Sequence, residues 1–159
     1  MITPATMVIR EASASDADAL ADQRAALFEE LGQLASGDAP DPFRHHSAHA
    51  FRQGLDDGTC YAWVAISAGA VVASTALLVF PRLPTPASLA TQEGYLLNVY
   101  TEPSHREKGL ATSLVATAIN KARALGLARI RLHATAKGAL VYAAAGFLGR
   151  TDEMELKLE

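Results

Sequence analysis

The sequence has one cysteine and no long hydrophobic run, and both absences limit what the protein can be. A lone Cys60 cannot form a disulfide within the chain, and zinc sites that need two or more cysteines are excluded. The longest mostly apolar stretch, residues 68–80, contains Ser74 and Thr75 and is shorter than the about 20 residues of a membrane-spanning helix. Residues 1–10 hold no basic segment that leads into a long apolar core, as a secretory signal would. We therefore expect no membrane partner and a reducing, cytoplasmic location.

A strong charge of either sign is also lacking. The chain has 14 Lys and Arg against 17 Asp and Glu, a formal net charge of −3. This balance creates no overall field that would favour nucleic acid or an anionic membrane surface, so an anionic ligand must be held by a local site. A hydrophobic fraction of 50% and a charged fraction of 19% over 159 residues are typical of one folded domain, which we place at 1–159.

Hydrophobic periodicity and turn residues predict a mixed α/β (α+β) fold. The predicted strands cover residues 7–12, 60–67, 70–80, 95–101, 129–134 and 154–158, and the predicted helices cover 17–31, 47–55, 109–125 and 137–145. Turn residues fill 36–42, Ala68 and Gly69 form a hairpin turn, and a polar loop runs from 81 to 93. Because a hairpin precedes a strand–helix–strand unit, we expect a mostly antiparallel central sheet with a parallel pair, flanked by about four helices.

The segment at 99–111, where a predicted strand ends and a helix begins, carries the most distinctive chemistry. The first N–H groups of a helix lack internal partners and bear partial positive charge, which acidic residues usually balance. Here Arg106 and Lys108 stand at the helix start, and no acid occurs between Lys108 and Asp152. Each cation costs a few tenths to about 1 kcal/mol there unless an external anion binds. With Gly109 keeping the helix mouth open, the sequence predicts a phosphate or pyrophosphate site.

Two common phosphate motifs are absent, since the Walker order is not met at Lys108-Gly109-Leu110 and no G-x-G-x-x-G occurs. The run Arg-Glu-Lys-Gly-Leu-Ala at 106–111, preceded by Pro103, instead resembles the Q/R-x-x-G-x-G/A signature of the GNAT acetyltransferase superfamily. A second segment, 139–147, resembles that family's tyrosine-bearing helix that closes with Gly-Phe. The order of predicted elements also matches the family fold, although residues 1–60 match only in layout.

The resemblance implies an N-acetyltransferase that uses acetyl-CoA as co-substrate, without a metal. The acetyl group would pass directly, in a ternary complex, to a primary amine of a small molecule or peptide. Strands four and five would splay apart, so that the pantetheine arm pairs with strand four like an added strand. The residues implied to bind the coenzyme are Val99, Tyr100, Thr101, Arg106, Glu107, Lys108, Gly109, Leu110, Ala111 and Thr112.

The resemblance implies a catalytic role for Tyr142, and the chemistry of the transfer requires a base that the resemblance does not identify. Tyr142 is the candidate acid for the departing thiolate, although an ordinary tyrosine pKa near 10 lies above about 8.5 for a thiol. It is also placed to close a helix end, because with Gly146 at C′ its ring is expected to contact Phe147; both roles can hold together. The candidate base is His133, near the end of a central strand. The alternatives left open are Glu29, Glu30, Glu93 and Glu102.

His45 and His49 are spaced as metal ligands on one helix face would be, but residues 42–47 are predicted to form a loop, so no metal site is expected. Cys60 has no basic neighbour to activate it, and we expect it to be buried. Four acidic residues faintly favour a cationic acceptor: Asp38, Asp41, Asp56 and Asp57. Two other functions suit the same anion site, a non-catalytic acyl-CoA binding or sensing module and a nucleotide-binding regulator. A homodimer is left open.

Overall fold

Five β-strands form one sheet in the order β1-β2-β3-β4-β5. The computed structural model describes residues 6–36 and 41–159. The strands are β1 Val8–Glu11, β2 Cys60–Ser67, β3 Ala70–Pro81, β4 Gln92–Thr101 and β5 Ile130–Arg131, and the helices are α1 Ala17–Glu30, α2 Pro42–Asp57, α3 Leu110–Ala124 and α4 Ala139–Ala144. All strand pairs are antiparallel except β4 with β5, which is parallel. This confirms the predicted mixed fold.

Both faces of the sheet are covered, which explains the nearly continuous apolar runs of β2 and β3. Trp63 and Leu77 belong to the core on the α3 side, where they pack with Leu114. On the other side Val64 packs with Leu20 of α1. None of the helices in the described ranges is long and apolar enough to span a bilayer. The sheet therefore separates two helical layers, with α1 and α2 on one side and α3 on the other.

Helix α2 begins at Pro42, earlier than the predicted start at 47, so the prediction of a loop over 42–47 is wrong. Asp41 caps the helix by accepting a hydrogen bond from the Phe43 N–H at 2.9 Å, and Pro42 occupies the first turn, where its missing N–H costs nothing. The turn-rich composition of residues 36–42 therefore made a regular helix start look like a loop in the sequence. His45 and His49 consequently do lie on one helix, whereas residues 37–40 of the predicted turn, with Asp38, lie outside the described residues.

Strand β4 begins at Gln92 and not at 95, which places Glu93 inside the sheet. Glu93 is buried, and three guanidinium groups surround its carboxylate: Arg131 at 2.5 Å, Arg129 at 2.8 Å and Arg82 at 3.5 Å. A buried carboxylate is tolerated only when it is paired in this way. The loop predicted to reach Glu93 is therefore shorter than expected.

The C-terminal part of the sheet is smaller than predicted. Strand β5 has two residues instead of the expected 129–134, and the strand predicted over 154–158 does not form. The side chains of Met154, Leu156 and Leu158 are 99%, 82% and 91% exposed. Their alternation gives an apolar face, but within the described residues no strand pairs with this segment, and an unpaired strand has no hydrogen-bonded ladder to hold it.

Candidate active site

The N-terminal mouth of α3 presents a run of unpaired backbone donors. In the described part of the chain, the N–H groups from Glu107 to Thr112 donate to no acceptor, and the first paired one belongs to Ser113, which donates to the Gly109 carbonyl oxygen at 3.0 Å. The first turn of α3 contains no acidic residue. Consecutive N–H groups at a helix start, with the positive end of the helix dipole behind them, form a site for an anion.

Gly109 shapes this mouth. It is the N-cap of α3 and has φ +75°, in the left-handed region that glycine adopts without steric cost. Glu107 also has positive φ, at +61°, which turns the backbone of the loop back upon itself. A Cβ placed on Gly109 would meet no atom within 4 Å. The mouth is thus open space, edged by backbone donors.

The two cationic side chains of the motif, Arg106 and Lys108, donate hydrogen bonds to other groups of the protein. Arg106 donates to Glu30 Oε1 at 2.6 Å and to the Thr101 carbonyl oxygen at 2.8 Å. Lys108 Nζ donates to the Ser104 carbonyl oxygen at 3.2 Å. Arg106 therefore ties the loop before α3 to the C-terminal end of α1.

Strands β4 and β5 diverge immediately after they meet. They pair only at Gly94 with Ile130 and at Tyr95 with Arg131, so the later part of β4 has no partner on its β5 side among the described residues. The predicted coenzyme residues Val99, Tyr100 and Thr101 lie on this part of β4. An extended chain bearing amide groups can therefore hydrogen-bond to this open edge.

A bulge distorts β4 opposite the open edge. The β3–β4 register shifts between Ser74 and Ala76, and Asn98 there has φ +56°. Asn98 is buried, and its amide nitrogen donates to the Leu20 carbonyl oxygen at 3.3 Å and to Ser74 Oγ at 3.2 Å. These bonds tether the bulge to α1. Sequence reasoning missed Asn98, although an amide within the apolar run Leu-Leu-Asn-Val-Tyr is a visible signal.

Tyr142 closes helix α4 as predicted. The Phe147 N–H donates to the Tyr142 carbonyl oxygen at 3.0 Å, Gly146 has φ +99°, and the two aromatic rings meet edge to face with centroids 5.9 Å apart. The ring lies against Gly138, where a Cβ would come within 2.8 Å of it. Burial raises the pKa of Tyr142 above its usual value. Its hydroxyl has no hydrogen-bond partner within the described residues, so the hydroxyl is available to a ligand.

His133 forms a pair that the sequence did not reveal. The Tyr95 hydroxyl is hydrogen-bonded to His133 Nδ1, which bridges β4 and the segment after β5 where those strands separate. Burial is the largest influence on the pKa of Tyr95, which is raised. The pair places a titratable ring beside the gap between the two strands.

Most of the alternative bases are already paired. Glu29 binds Arg44 at 3.1 Å, and Glu30 accepts from both Arg106 and the Tyr100 hydroxyl. Burial alone would raise the pKa of Glu93, but its bonded arginines lower it overall. Carboxylates held by guanidinium groups are poor proton acceptors. Among the candidate bases, His133 and Glu102 are the two that form no ion pair with an arginine within the described residues.

The histidines of α2 adjoin acids of α1. His45 and His49 line a cavity of about 200 Å³ together with Asp18 and Asp22, but arginines contact both acids, Arg44 at 3.4 Å from Asp22 and Arg52 at 3.5 Å from Asp18. The described residues contain no group of three or more side chains that could hold a metal ion.

Cys60 is buried, as expected, and burial raises the pKa of its thiol to about 11. Two of the acids that favoured a cationic acceptor, Asp41 and Asp57, have local structural roles. Asp41 caps α2 and binds Arg44 at 2.9 Å, and Asp57 accepts from the Thr59 N–H at 2.9 Å. Neither carboxylate is therefore free to attract an acceptor.

Comparison with known proteins connects this geometry to a family. The family model for the acetyltransferase (GNAT) family matches residues 28–147, most of the chain. No curated protein matches. A GCN5-related N-acetyltransferase from Ralstonia eutropha JMP134 is 30% identical, with a TM-score of 0.82 over 96% of this chain and 99% of that one.

Two further solved structures have a similar fold. A predicted acetyltransferase from Clostridium acetobutylicum, solved with acetyl-CoA, is 25% identical, with a TM-score of 0.85 over 96% of this chain and 97% of that one. Glucosamine-6-phosphate N-acetyltransferase from Arabidopsis thaliana is 17% identical, with a TM-score of 0.69 over 97% of this chain and 99% of that one. At that lower identity the likeness concerns the fold alone.

Proposed function

The chain belongs to the acetyltransferase (GNAT) family, and from this premise we propose that it transfers an acetyl group from acetyl-CoA directly to a primary amine of a small molecule or peptide. The observation that carries the proposal is the run of unpaired N–H groups from Glu107 to Thr112 at the α3 mouth. Such a run suits the pyrophosphate of a coenzyme and needs no metal. The open edge of β4 would receive the pantetheine arm.

Arg106 acts in this proposal as a positioning residue. Its bonds to Glu30 and to the Thr101 carbonyl oxygen fix the loop whose backbone binds the phosphates. Lys108 supplies positive charge near the mouth on a flexible stem. These roles explain why Arg106 and Lys108 stand at a helix start, where a cation is otherwise unfavourable.

The transfer itself needs two proton movements. The acceptor nitrogen bonds to the acetyl carbonyl carbon and the C–S bond breaks, so the nitrogen must lose a proton and the thiolate must gain one. We assign the first to the Tyr95–His133 pair, in which Tyr95 takes the amine proton as its own proton passes to His133 Nδ1. We assign the second to Tyr142, whose hydroxyl is available and which burial keeps protonated.

Acetyl-CoA is expected to raise the melting temperature. A ligand that binds only the native state stabilises it by about 2.7 kcal/mol at a hundredfold excess over Kd, which corresponds to roughly 5–10 °C for a domain of this size. Differential scanning fluorimetry measures the shift, with NAD as control because it has the adenosine and pyrophosphate without the pantetheine arm. An absent shift at millimolar acetyl-CoA would refute coenzyme binding, and an equal shift with NAD would favour a nucleotide-binding regulator.

The decisive assay is release of free thiol from acetyl-CoA across a panel of amines, amino acids, polyamines and aminoglycosides. Turnover with any of them supports the enzyme. Binding of acetyl-CoA without turnover on the whole panel would favour an acyl-CoA sensing module instead.

A further inference from the structure

Arg24 of α1 is a cation set among aromatic rings. Its Cζ lies 4.9 Å from the ring centroid of Phe28 and 5.9 Å from that of Phe43, and these rings meet edge to face. Within residues 6–36 and 41–159 Arg24 forms no salt bridge and no side-chain hydrogen bond. Carboxylates pair with most other arginines of the chain, namely Arg10, Arg44, Arg52, Arg82, Arg106, Arg129, Arg131 and Arg150.

The surroundings of Arg24 desolvate its charge only in part. Arg24 is half-buried, and burial lowers its pKa, although a guanidinium stays charged at every physiological pH. The aromatic rings offset part of the lost hydration through cation–π contact, and the guanidinium nitrogens are still accessible to solvent and so to a ligand. A guanidinium fork held in this way is prepared for a bidentate carboxylate.

Arg24 also lies on the part of α1 that packs against β4. The Leu20 carbonyl oxygen, one helical turn before Arg24, accepts a hydrogen bond from the Asn98 amide of β4, and the charges of Arg24 and Tyr95 interact. Tyr95 is in turn bonded to His133 at the gap between β4 and β5. An anion bound at Arg24 would therefore lie near β4, toward the group that we assign to deprotonate the acceptor. The other nearby guanidinium, Arg131, is already bound by Glu93 and Glu153. A single available cation matches a singly charged carboxylate better than a doubly charged phosphate.

We propose that Arg24 binds a carboxylate of the acceptor, so that the acceptor is an amine that also carries a carboxylate, as an amino acid does. Phe28 and Phe43 would cover its apolar part. This inference rests on the proposed acetyltransferase function and names the substrate class for the same site.

The test compares amino acids with their amides in the thiol-release assay. Leucine and leucinamide, or phenylalanine and phenylalaninamide, share the amine and side chain and differ in the carboxylate. We expect kcat/KM to be 10²–10³-fold higher for the acids, although the lower amine pKa of an amide favours the amide. Arg24→Met should remove this preference through KM and leave the acetyl-CoA melting shift unchanged. Arg123→Met, an exposed arginine of α3, is the matched control.

The outcomes separate this inference from the proposed function. Loss of the acetyl-CoA shift in the wild type defeats the function, whereas equal turnover of acid and amide with a retained shift defeats only the role of Arg24. The melting temperature gives a readout without turnover: Arg24→Met should not lower it, since no partner is left unpaired. A fall in melting temperature as large as that of Arg44→Met would overturn the proposal. A changed preference for acids over amides in Asp38→Asn would also overturn it, because Asp38 would then be the partner of Arg24.

Discussion

Replacing Gly109 with Glu is expected to weaken acetyl-CoA binding at least 100-fold while the chain stays folded. A side chain there projects into space that no atom occupies within 4 Å, at the mouth edged by the N–H groups of Glu107 to Thr112. The new carboxylate would take those donors for itself and repel the pyrophosphate. Isothermal titration calorimetry with acetyl-CoA measures the loss.

Backbone strain has to be separated from this effect. A non-glycine residue at φ +75° costs about 1–2 kcal/mol, so some loss of stability is expected in any case. Gly126→Glu is the matched control, because Gly126 has φ +68°, also has no atom within 4 Å of a Cβ, and lies at the opposite end of α3. It should lower the melting temperature similarly and bind acetyl-CoA normally. If Gly109→Glu kept its affinity, the coenzyme site would have to lie elsewhere.

Local chemistry explains which elements the sequence could predict. Helix α3 ends at Ala124 with Gly126 just beyond, and α4 ends with Gly146 and with Phe147 in contact with Tyr142. Both ends were predictable because a glycine that follows an apolar helix is a local signal for helix termination. The start of α2 was missed because Asp41 and Pro42 serve equally as turn residues and as a helix cap. Local composition cannot distinguish these uses.

Contacts between distant segments explain what the sequence could not reveal. Glu93 looked like a loop acid, and its burial depends on Arg131 of β5, on Arg129 just before that strand and on Arg82 just after β3. The segment 154–158 has the alternation of a strand. A strand must also pair with the edge of another strand, and local sequence does not show whether that pairing forms. The run of unpaired N–H groups at the start of α3 was predictable because it arises from one helix start. The Tyr95–His133 pair joins residues 38 positions apart and carries no local signal.

Replacing Tyr142 with Phe is expected to lower kcat by about 10²–10⁴-fold, the usual contribution of a general acid. The ring that packs edge to face on Phe147 is kept, and only a hydroxyl without a partner in the described chain is removed. Removing an unpaired, half-buried hydroxyl should leave the melting temperature nearly unchanged or slightly higher. Acetyl-CoA affinity should also be unchanged, because the proton is delivered only as the C–S bond breaks. Steady-state kinetics on an identified acceptor, with Tyr61→Phe in β2 as control, measures the effect.

The pH dependence and a second variant distinguish acid catalysis from packing at Tyr142. Burial raises the pKa of Tyr142 above its ordinary value near 10, so the acid form persists across the neutral range and a decline from its ionisation falls above pH 10. Gly138→Ala brings a Cβ within 2.8 Å of the ring and should displace it, which lowers kcat while the hydroxyl is still present. An unchanged kcat in Tyr142→Phe, together with an unchanged single-turnover rate, would assign Tyr142 to helix closure alone. A single-turnover rate that falls while kcat does not would instead show that product release limits the wild type, with Tyr142 still the acid.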